Sequence, residues 1–494
     1  DIIKTEDDLL VQTPEKFKER FNIDVRIKQE VIKIDKEKKK LQIKNKATGE
    51  IYIENYDKLV LSPGAEPINP FKGVKSDRIF TIRNVKDAEK VKTFIENNNP
   101  KSAVIVGGGY IGVEMAENLS EYTMEVSIVE KAPHLISIID NDMAHFIHKE
   151  IKKHGVKVYV NEGVNKIEEH EKLLLTLDNG KIETDLVILC IGVRPETNLA
   201  EESGINTNEK GAIIVNNKMQ TSNKDIYALG DAVEVKNTIT GERNGIALAG
   251  PANRQARIVA NNINGIESSY EGFIGSSILK IFNYSLGIVG LSERACKNLD
   301  IPYKIMIISP YSHATYYPGA KMLTIKAIYN SKTSQILGAY VWGKSSVDKI
   351  TDILSVAIQN KMGAADISAL ELCYAPPYSS AKSPVNILGN AIENEMNELV
   401  DTIAVEELKN KENLYILDVR TIEEYNISHI EGAINIPLDE LRENIEKLDK
   451  SKEIIVHCHS GLRSYLACRI LKQKGYNVKN LIGGYIMYDI MKNK

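Results

Sequence analysis

Cys458 is the residue of this sequence best placed for nucleophilic chemistry. It follows an apolar stretch at residues 454–457 that predicts a buried strand, and it precedes a predicted helix at residues 465–472. Between a strand and a helix, a thiolate or persulfide anion is stabilised by loop N–H groups, by the helix dipole and here by Arg463. The pattern predicts a catalytic thiol, whereas Cys468, on the predicted helix, is expected in the core. A strand-end thiol with an incidental arginine nearby is the alternative for Cys458.

A glycine-rich turn, Gly-Gly-Gly-Tyr-Ile-Gly, predicts a nucleotide site because it follows one apolar strand and opens a helix. Gly107 makes the tight turn, Gly109 admits a pyrophosphate and Gly112 lets the helix touch the strand. Glu130 ends the next strand and can accept a hydrogen bond from a ribose hydroxyl, which favours NADH over NADPH. Lys131 beside it weakens that preference, and a turn that binds no ligand is the alternative.

Gly230 and Asp231 end another short apolar strand. A carboxylate at the carboxyl end of a strand, after a glycine that allows close approach, is suited to bind the hydroxyl of a polyol. The alternative is an ordinary turn aspartate, which the spacing alone favours.

Size and composition limit the function classes. A chain of 494 residues is too long for one hydrophobic core and predicts three or four domains. The formal net charge of −4 argues against a general nucleic-acid binder, and no stretch approaches the ~18 uninterrupted apolar residues of a membrane helix. The five cysteines are an odd number, widely spread and without a CxxC pair, which argues against a disulfide scaffold or a metal site and indicates a reducing cytoplasm.

The order of the predicted elements indicates an α/β protein. The strand, helix and strand around the glycine turn form a βαβ unit and therefore a parallel sheet. Short alternating strands are predicted before it, one of them at residues 25–27. A separate small α/β unit begins near residue 399 and runs to the end of the chain.

Three segments together resemble the two-dinucleotide flavoprotein disulfide reductases, namely residues 59–67, 107–117 and 221–231. The resemblance covers residues 1 to about 392 and implies that Gly230 and Asp231 hold the ribityl chain of FAD. Within that family the chain resembles the coenzyme A disulfide reductases and related NADH oxidases, through the strings at residues 248–255, 313–320 and 374–382.

The same resemblance implies roles for five more residues. Tyr316 and Tyr374 match tyrosines beside the active site, and a phenol can lend a proton to a leaving thiolate. Arg26, Asn253 and Lys382 match residues that contact coenzyme A, whose diphosphate calls for cations. By residue type alone, the two tyrosines are packing aromatics and Lys382 is a surface lysine.

The family's FAD-binding βαβ unit, with its own GxGxxG turn and the redox cysteine downstream, is not found in the sequence as given. The sequence begins at Asp1 without a methionine, and residues 1–30 resemble the stretch that follows that cysteine. We therefore expect at least ~30 residues upstream in the intact enzyme. Cys190, Cys296 and Cys373 are expected to be structural.

The C-terminal unit resembles the rhodanese sulfurtransferases along its whole length, through residues 417–420, 429–437 and 454–464. Four residues separate Cys458 from Arg463. The related cysteine phosphatases have one more, which makes a loop wide enough for phosphate, so the shorter loop favours sulfur transfer.

Together the resemblances imply two Rossmann-like dinucleotide-binding domains, the first incomplete, an α+β interface domain and a rhodanese-like α/β domain. The expected boundaries are residues 1–77 and 193–266 for the FAD-binding domain, 78–192 for the NAD(P)H-binding domain, 267–392 for the dimerisation domain and 399–494 for the rhodanese domain.

The implied function is an FAD-dependent NAD(P)H oxidoreductase that reduces coenzyme A disulfide, or coenzyme A persulfide and polysulfide, coupled to a rhodanese site. The expected cofactors are FAD and NADH or NADPH, with coenzyme A at the substrate site, in a cytoplasmic homodimer without nucleic-acid or membrane partners. Two alternatives stay open: an NADH oxidase or peroxidase of the same fold, and a plain sulfurtransferase with a non-redox nucleotide-binding module.

Overall fold

The computed structural model describes residue 9, residues 11–408 and residues 414–492. The outermost positions of the first and last expected domains, Asp1 and Lys494, lie outside the described residues. Within the described part of the chain, every helix is too short or too polar to cross a bilayer.

The regular elements alternate along the chain in the mixed α/β order predicted from the sequence. The helices are α1 Pro14–Phe21, α2 Val85–Asn98, α3 Tyr110–Ser120, α4 Asn141–Lys153, α5 Asn198–Glu202, α6 Ala249–Ile263, α7 Glu293–Asn298, α8 Val347–Gln359, α9 Ala364–Ser368, α10 Pro384–Met396, α11 Val405–Leu408, α12 Ile422–Ile427, α13 Leu462–Gln473 and α14 Gly484–Lys492.

The strands are mostly short, and several parallel ones are buried on both faces. They are β1 Gln29–Asp35, β2 Lys40–Asn45, β3 Ile51–Asn55, β4 Leu59–Leu61, β5 Ala65–Pro67, β6 Ile79–Thr81, β7 Ser102–Val106, β8 Glu125–Glu130, β9 Lys157–Val160, β10 Val164–Glu169, β11 Leu173–Leu177, β12 Lys181–Thr184, β13 Leu186–Leu189, β14 Val193–Pro195, β15 Ile213–Ile214, β16 Ile226–Ala228, β17 Val233–Lys236, β18 Arg243–Gly245, β19 Ser277–Ile281, β20 Tyr284–Gly290, β21 Tyr303–Ile308, β22 Leu323–Asn330, β23 Ile336–Gly343, β24 Asp401–Ile403, β25 Tyr415–Asp418, β26 Ile434–Asn435, β27 Ile454–His457 and β28 Val478–Leu481.

The chain divides into two compact units, and the smaller one combines residues 1–100 with residues 186–273. Strands from its two segments pair in parallel, β4 with β16 and β6 with β13. Its core likewise draws on both segments, with Ile34 and Leu41 packed in one cluster with Ile226 and Val233. The first segment therefore cannot bury its apolar face without the second.

The larger unit combines residues 101–185 with residues 274–494. Its first part contains the βαβ arrangement predicted from the glycine turn: β7 and β8 pair in parallel, and α3 lies between them in the chain. The next part is a five-stranded antiparallel sheet in the order β19-β20-β23-β22-β21. Strands β22 and β23 are buried along almost their whole length, since α8 packs on this sheet.

The C-terminal part of this unit is a five-stranded parallel sheet in the order β24-β28-β27-β25-β26. Parallel strands covered by helices need apolar side chains on both faces, and β27 is buried at every position. The core beneath it includes Leu417, Val456, Cys468 and Leu471. The prediction that Cys468 is a core residue is therefore confirmed.

Two local predictions were wrong. Residues 25–27 do not form a strand but lie in an irregular segment, where Val25 and Ile27 are exposed. Alternation indicates a half-buried strand only where the segment pairs into a sheet and another layer of the fold covers one face of that sheet. Cys373, expected to be structural, is exposed.

A buried ion cluster joins three segments of the larger unit. Lys326, on β22, is fully buried, and its ammonium group lies 2.7 Å from Asp142, 3.2 Å from Asp140 and 2.5 Å from Glu293. Burial opposes this charge, but the three carboxylates raise the pKa of Lys326 above its ordinary value. A buried charge is tolerated only when it is paired in this way.

We expect Lys326→Met to lower the free energy of unfolding by about 3–5 kcal/mol, because it leaves buried carboxylates without a counter-charge. Urea denaturation followed by circular dichroism measures the loss. Lys332→Met makes the same replacement at an exposed position of the following turn and should change the midpoint little. Equal effects of the two replacements would contradict a specific role of the cluster.

Candidate functional site

Cys458 follows β27 directly and is 1 % exposed. Its Sγ accepts the N–H of Gly461 at 3.1 Å and the hydroxyl of Ser464 at 3.4 Å. Gly461 has a φ of 103°, a conformation that favours glycine and turns the chain sharply into α13. The loop therefore presents hydrogen-bond donors to the sulfur atom, as an anionic sulfur requires.

The carbonyl groups of this loop point away from the sulfur because the start of α14 binds them. The N–H of Tyr485 donates to the carbonyl of Cys458 at 2.8 Å, and the N–H of Ile486 donates to that of His459 at 3.1 Å. Gly484 lies so close beneath the loop that a Cβ there would be 2.6 Å from the carbonyl oxygen of Cys458. Only glycine allows this contact.

Arg463 extends from the first turn of α13 and is held by Glu424 of α12. Its two terminal nitrogens bond both carboxylate oxygens, at 2.6 and 2.8 Å. This pairing, despite partial burial, lowers the pKa of Glu424 to about 2. The positive charge expected beside Cys458 is therefore present, but a carboxylate neutralises it.

A second bidentate ion pair, between Arg420 and Asp418, lies in the same domain. Arg420 bonds both oxygens of Asp418, at 2.6–3.0 Å, and its guanidinium lies 4.2 Å from the ring centroid of Tyr485. The neighbouring His457 is fully buried, and its Nε2 lies 3.5 Å from Asp418 without a hydrogen-bond partner. Burial lowers the pKa of His457 from its ordinary value near 6.5 to about 4, so the ring is neutral at pH 7.

A cavity of about 910 Å³ opens beside the Cys458 loop. One part of its wall is the loop itself, with Ser460 and Leu462, and another part carries Tyr316, Tyr374 and Lys382. Much of the rest is apolar, from Met306, Ile307, Pro310, Ala314, Val400 and Ile482. The cavity thus joins candidate residues that the sequence places in two different domains.

Tyr316 and Tyr374 lie in separate loops, and their hydroxyl oxygens are 3.0 Å apart. Tyr316 is 74 % exposed and Tyr374 is 49 % exposed. Both phenol groups are therefore accessible from the cavity. The hydrogen bond with Tyr374 raises the pKa of Tyr316, so the Tyr316 hydroxyl keeps its proton at neutral pH and can donate it.

The glycine turn has the geometry of a phosphate cradle. Gly107 has a φ of 104°, and a Cβ on Gly112 would be 2.0 Å from the carbonyl oxygen of Gly107. A Cβ on Gly109, by contrast, would meet no atom within 4 Å. The open space at Gly109 and the start of α3 are where a pyrophosphate fits. Glu130 accepts the N–H of Gly108 at 2.6 Å, which fixes its carboxylate at this turn.

Gly230 and Asp231 form a 3-10 turn after β16 in the smaller unit. Gly230 has a φ of 79°, and its N–H donates to Gln255 at 2.8 Å. Burial raises the pKa of Asp231. Among the described residues, none donates a hydrogen bond to this carboxylate, so its oxygens are available to the hydroxyls of a polyol.

The expected coenzyme A residues belong to both compact units. Lys382 is exposed and lines the cavity beside Tyr316. Arg26 and Asn253 belong to the smaller unit, where both are exposed. Arg26 bonds Asp24 at 2.8 Å and Glu54 at 2.6 Å, and an anionic ligand would compete with these carboxylates.

Sequence reasoning missed Glu424, His457 and Gly484. Glu424 lies 39 positions from Arg463, so no local pattern connects them. A signal for Gly484 did exist, since the Gly-Gly pair at residues 483–484 precedes an apolar helix pattern.

The chain matches three family models. Residues 3–256 match the pyridine nucleotide-disulphide oxidoreductase model, and residues 276–384 match the dimerisation domain of the same family. Residues 402–488 match the rhodanese-like domain. The predicted fold class is confirmed.

Two relatives align with more than three quarters of the chain. An NADH oxidase of Methanocaldococcus jannaschii is 37 % identical over 388 residues, which is 78 % of this chain and 86 % of that protein. A coenzyme A disulfide reductase of Staphylococcus aureus is 35 % identical over 382 residues, or 77 % of this chain and 86 % of that protein.

Two solved structures align with nearly the whole chain. Reduced Bacillus anthracis CoADR-RHD has a TM-score of 0.94 and 43 % identity, and the alignment covers 99 % of this chain and 89 % of that chain. An NAD-dependent persulfide reductase from A. fulgidus has a TM-score of 0.93 and 33 % identity, with 98 % and 90 % coverage.

The low pKa of His457 predicts an acid-sensitive C-terminal domain. The unfolded chain takes up this proton near pH 6.5 but the folded chain only near pH 4, so stability is complete above 6.5 and falls between these values. The expected loss between pH 7 and pH 5 is about 2 kcal/mol. His457→Gln should remove this loss of stability, which is measured as the difference in the free energy of unfolding from urea titrations at pH 7 and pH 5. The exposed His170 serves as the control, and an equal effect of His170→Gln would contradict the assignment.

Proposed function

We propose that this chain, which belongs to the pyridine nucleotide-disulphide oxidoreductase family and carries a C-terminal rhodanese-like domain, reduces coenzyme A disulfide, persulfide or polysulfide at the expense of NAD(P)H and moves sulfane sulfur through Cys458. The observation that carries this proposal is the cavity, since its wall includes both the Tyr316–Tyr374 pair and the Cys458 loop. The homologous coenzyme A disulfide reductase and persulfide reductase support the same reaction class.

Two nucleotide cofactors follow from the family, FAD and NAD(H). FAD, when bound, supplies two-electron transfer between a reduced nicotinamide and a sulfur acceptor. Gly230 and Asp231 would hold its polyol chain, which the free carboxylate of Asp231 supports. The turn of Gly107, Gly109 and Gly112 would hold the nicotinamide nucleotide.

We propose NADH rather than NADPH as the reductant. Glu130 lies at the end of β8, where a carboxylate binds the ribose diol and repels a 2′-phosphate. Its hydrogen bonds to the N–H groups of Gly108 and Ala132, both 2.6 Å long, fix it in that position.

The substrate residues would bind the two ends of coenzyme A. Arg26, Asn253 and Lys382 would contact its charged and polar groups, and Lys382 makes no ion pair with any described residue. Tyr316 and Tyr374 would donate a proton to the departing coenzyme A thiolate. The open position of both hydroxyls supports this role.

Sulfur transfer at Cys458 would follow from its donors. The Cys458 thiolate attacks the sulfane sulfur of a persulfide, the donor S–S bond breaks, and the electron pair leaves on the donor thiolate, which takes up a proton. The cysteine persulfide anion formed is held by the N–H of Gly461 and the hydroxyl of Ser464. A thiol or cyanide acceptor then removes the outer sulfur and restores the thiolate.

The dimerisation domain supports a homodimer. We propose a cytoplasmic enzyme, in keeping with five free cysteines.

We expect Cys458→Ser to abolish sulfur transfer to cyanide. It should also lower NADH-linked turnover of coenzyme A persulfide at least ~10-fold relative to turnover of coenzyme A disulfide, because only the first reaction passes sulfur through this thiol. Cys373→Ser, at an exposed cysteine, is the matched control. If persulfide turnover were unchanged in Cys458→Ser, the coupling of the two sites would be wrong.

One relative favours a second candidate function, an NADH oxidase, since the Methanocaldococcus jannaschii protein of that name is 37 % identical. The same assays separate the two functions. Rapid NADH oxidation by oxygen or peroxide, without activity on coenzyme A disulfide or persulfide, would establish the oxidase instead.

We expect Tyr316→Phe to lower kcat for coenzyme A disulfide by about 10²-fold, because it removes a proton donor. Its melting temperature should change by less than about 2 °C, since an exposed hydroxyl contributes little to stability. Tyr378→Phe is a matched control, because Tyr378 is 71 % exposed in the neighbouring loop. A normal kcat in Tyr316→Phe would remove the hydroxyl from the reaction.

A further inference from the structure

We propose that Glu424 determines which class of sulfur donor Cys458 accepts, by occupying Arg463 and thereby favouring persulfides carried on an uncharged organic arm over the thiosulfate dianion. This inference rests on the sulfurtransferase function proposed above and adds a specificity-determining residue to it. Glu424 acts through Arg463 and is therefore a positioning residue.

The Glu424 carboxylate is fixed from two directions. Its Oε2 accepts the N–H of Thr421 at 3.0 Å in the capping box of α12, and it also accepts Nη1 of Arg463 at 2.6 Å. Its Oε1 accepts Nη2 of Arg463 at 2.8 Å. The Nη1–Nη2 edge of the guanidinium is thus occupied by Glu424, and Arg463 also makes a side-chain hydrogen bond with Cys458.

Apart from Arg463, the described residues of the loop itself include no cation, and the one lysine of the cavity wall, Lys382, belongs to a different segment. Arg463 is the one arginine or lysine between His457 and Ser464. Arg420, in the loop after the neighbouring strand β25, has its own bidentate bond with Asp418. The two guanidinium and two carboxylate charges cancel, so the site offers hydrogen-bond donors but little net attraction for a dianion.

Thiosulfate and organic persulfides differ in the negative charge that they bring to the sulfur atom of Cys458. Thiosulfate would deliver its outer sulfur and leave as sulfite, so that two negative charges must approach Cys458 and depart again. An organic persulfide brings at most one charge and leaves as a thiol. Both reactions break one S–S bond, and the electron pair departs with the leaving group.

The cavity fits an organic arm better than an inorganic ion. Leu462, at its loop end, is 66 % exposed, and Ile307 and Ile482 contribute further apolar surface. Such a wall favours the methylene and amide groups of a slender thiol carrier, and Lys382 is its one lysine or arginine.

The test measures sulfur transfer to cyanide from thiosulfate and from N-acetylcysteamine persulfide, an uncharged arm, in the full-length protein. Glu424→Gln keeps the capping hydrogen bond and the shape of the side chain but removes its charge. We expect the ratio of kcat/KM for thiosulfate to that for the persulfide to rise at least ten-fold, mainly through a lower KM for thiosulfate. A ratio within two-fold of the wild-type value would overturn the proposal.

Glu423→Gln is the matched control, because Glu423 is the preceding, exposed residue of the same helix and makes no bond to Arg463. It should leave the ratio unchanged. A parallel loss with both donors in Glu424→Gln would indicate a merely structural role and would also overturn the proposal.

A second measurement separates this inference from the proposed function. In a Cys373→Ser background, the alkylation rates of Cys458 by anionic iodoacetate and neutral iodoacetamide are compared by mass spectrometry. The iodoacetate-to-iodoacetamide ratio should rise at least five-fold in Glu424→Gln. If the wild-type protein transfers no sulfur but this ratio rises, the sulfurtransferase function fails while the electrostatic role of Glu424 stands; an unchanged ratio overturns that role.

Discussion

The charge of one buried ammonium group, that of Lys326, constrains how the larger unit is assembled. The group needs carboxylates in place of water, and they come from the starts of α4 and α7, far from β22 in the chain. The same cluster influences the charge of Glu406 on α11. Burial raises the pKa of Glu406 most, and the negative charge of Asp142 raises it further. Strand β21, which pairs with β22, carries Met306 and Ile307 into the cavity wall. The placement of that wall therefore depends on this charge balance.

The chemistry proposed at Cys458 depends on directed donors rather than on net charge. Arg463 and Arg420 are each matched by a carboxylate, so the N–H of Gly461 and the hydroxyl of Ser464 add to what Arg463 gives a sulfur anion. The turn at Gly107, proposed to bind a nucleotide, would solve a similar problem with the N–H groups at a helix start. In both places glycine would let the backbone, which carries no charge to be neutralised, approach the proposed ligand.

The sequence could predict those parts of the fold and site that depend on neighbouring residues. The βαβ unit around Gly107 and the strand–loop–helix around Cys458 are local patterns, and the structure contains both. The Arg463–Glu424 bond and the cavity depend on contacts between distant segments, which no spacing rule reveals. Local periodicity also gave a wrong prediction. Val25 and Ile27 alternate with a polar residue as in a half-buried strand, but both side chains are exposed in an irregular segment.

The close packing of Gly484 against the Cys458 loop has a consequence for how such sequences can vary. A side chain at this position would push the carbonyl of Cys458 and turn the donors away, whatever its polarity. The residue is therefore constrained by the main chain of the sulfur-holding loop, although 25 residues separate it from Cys458 in the chain. Because the contacts are with backbone atoms, a replacement of the cysteine alone would leave the requirement for glycine at position 484 in place.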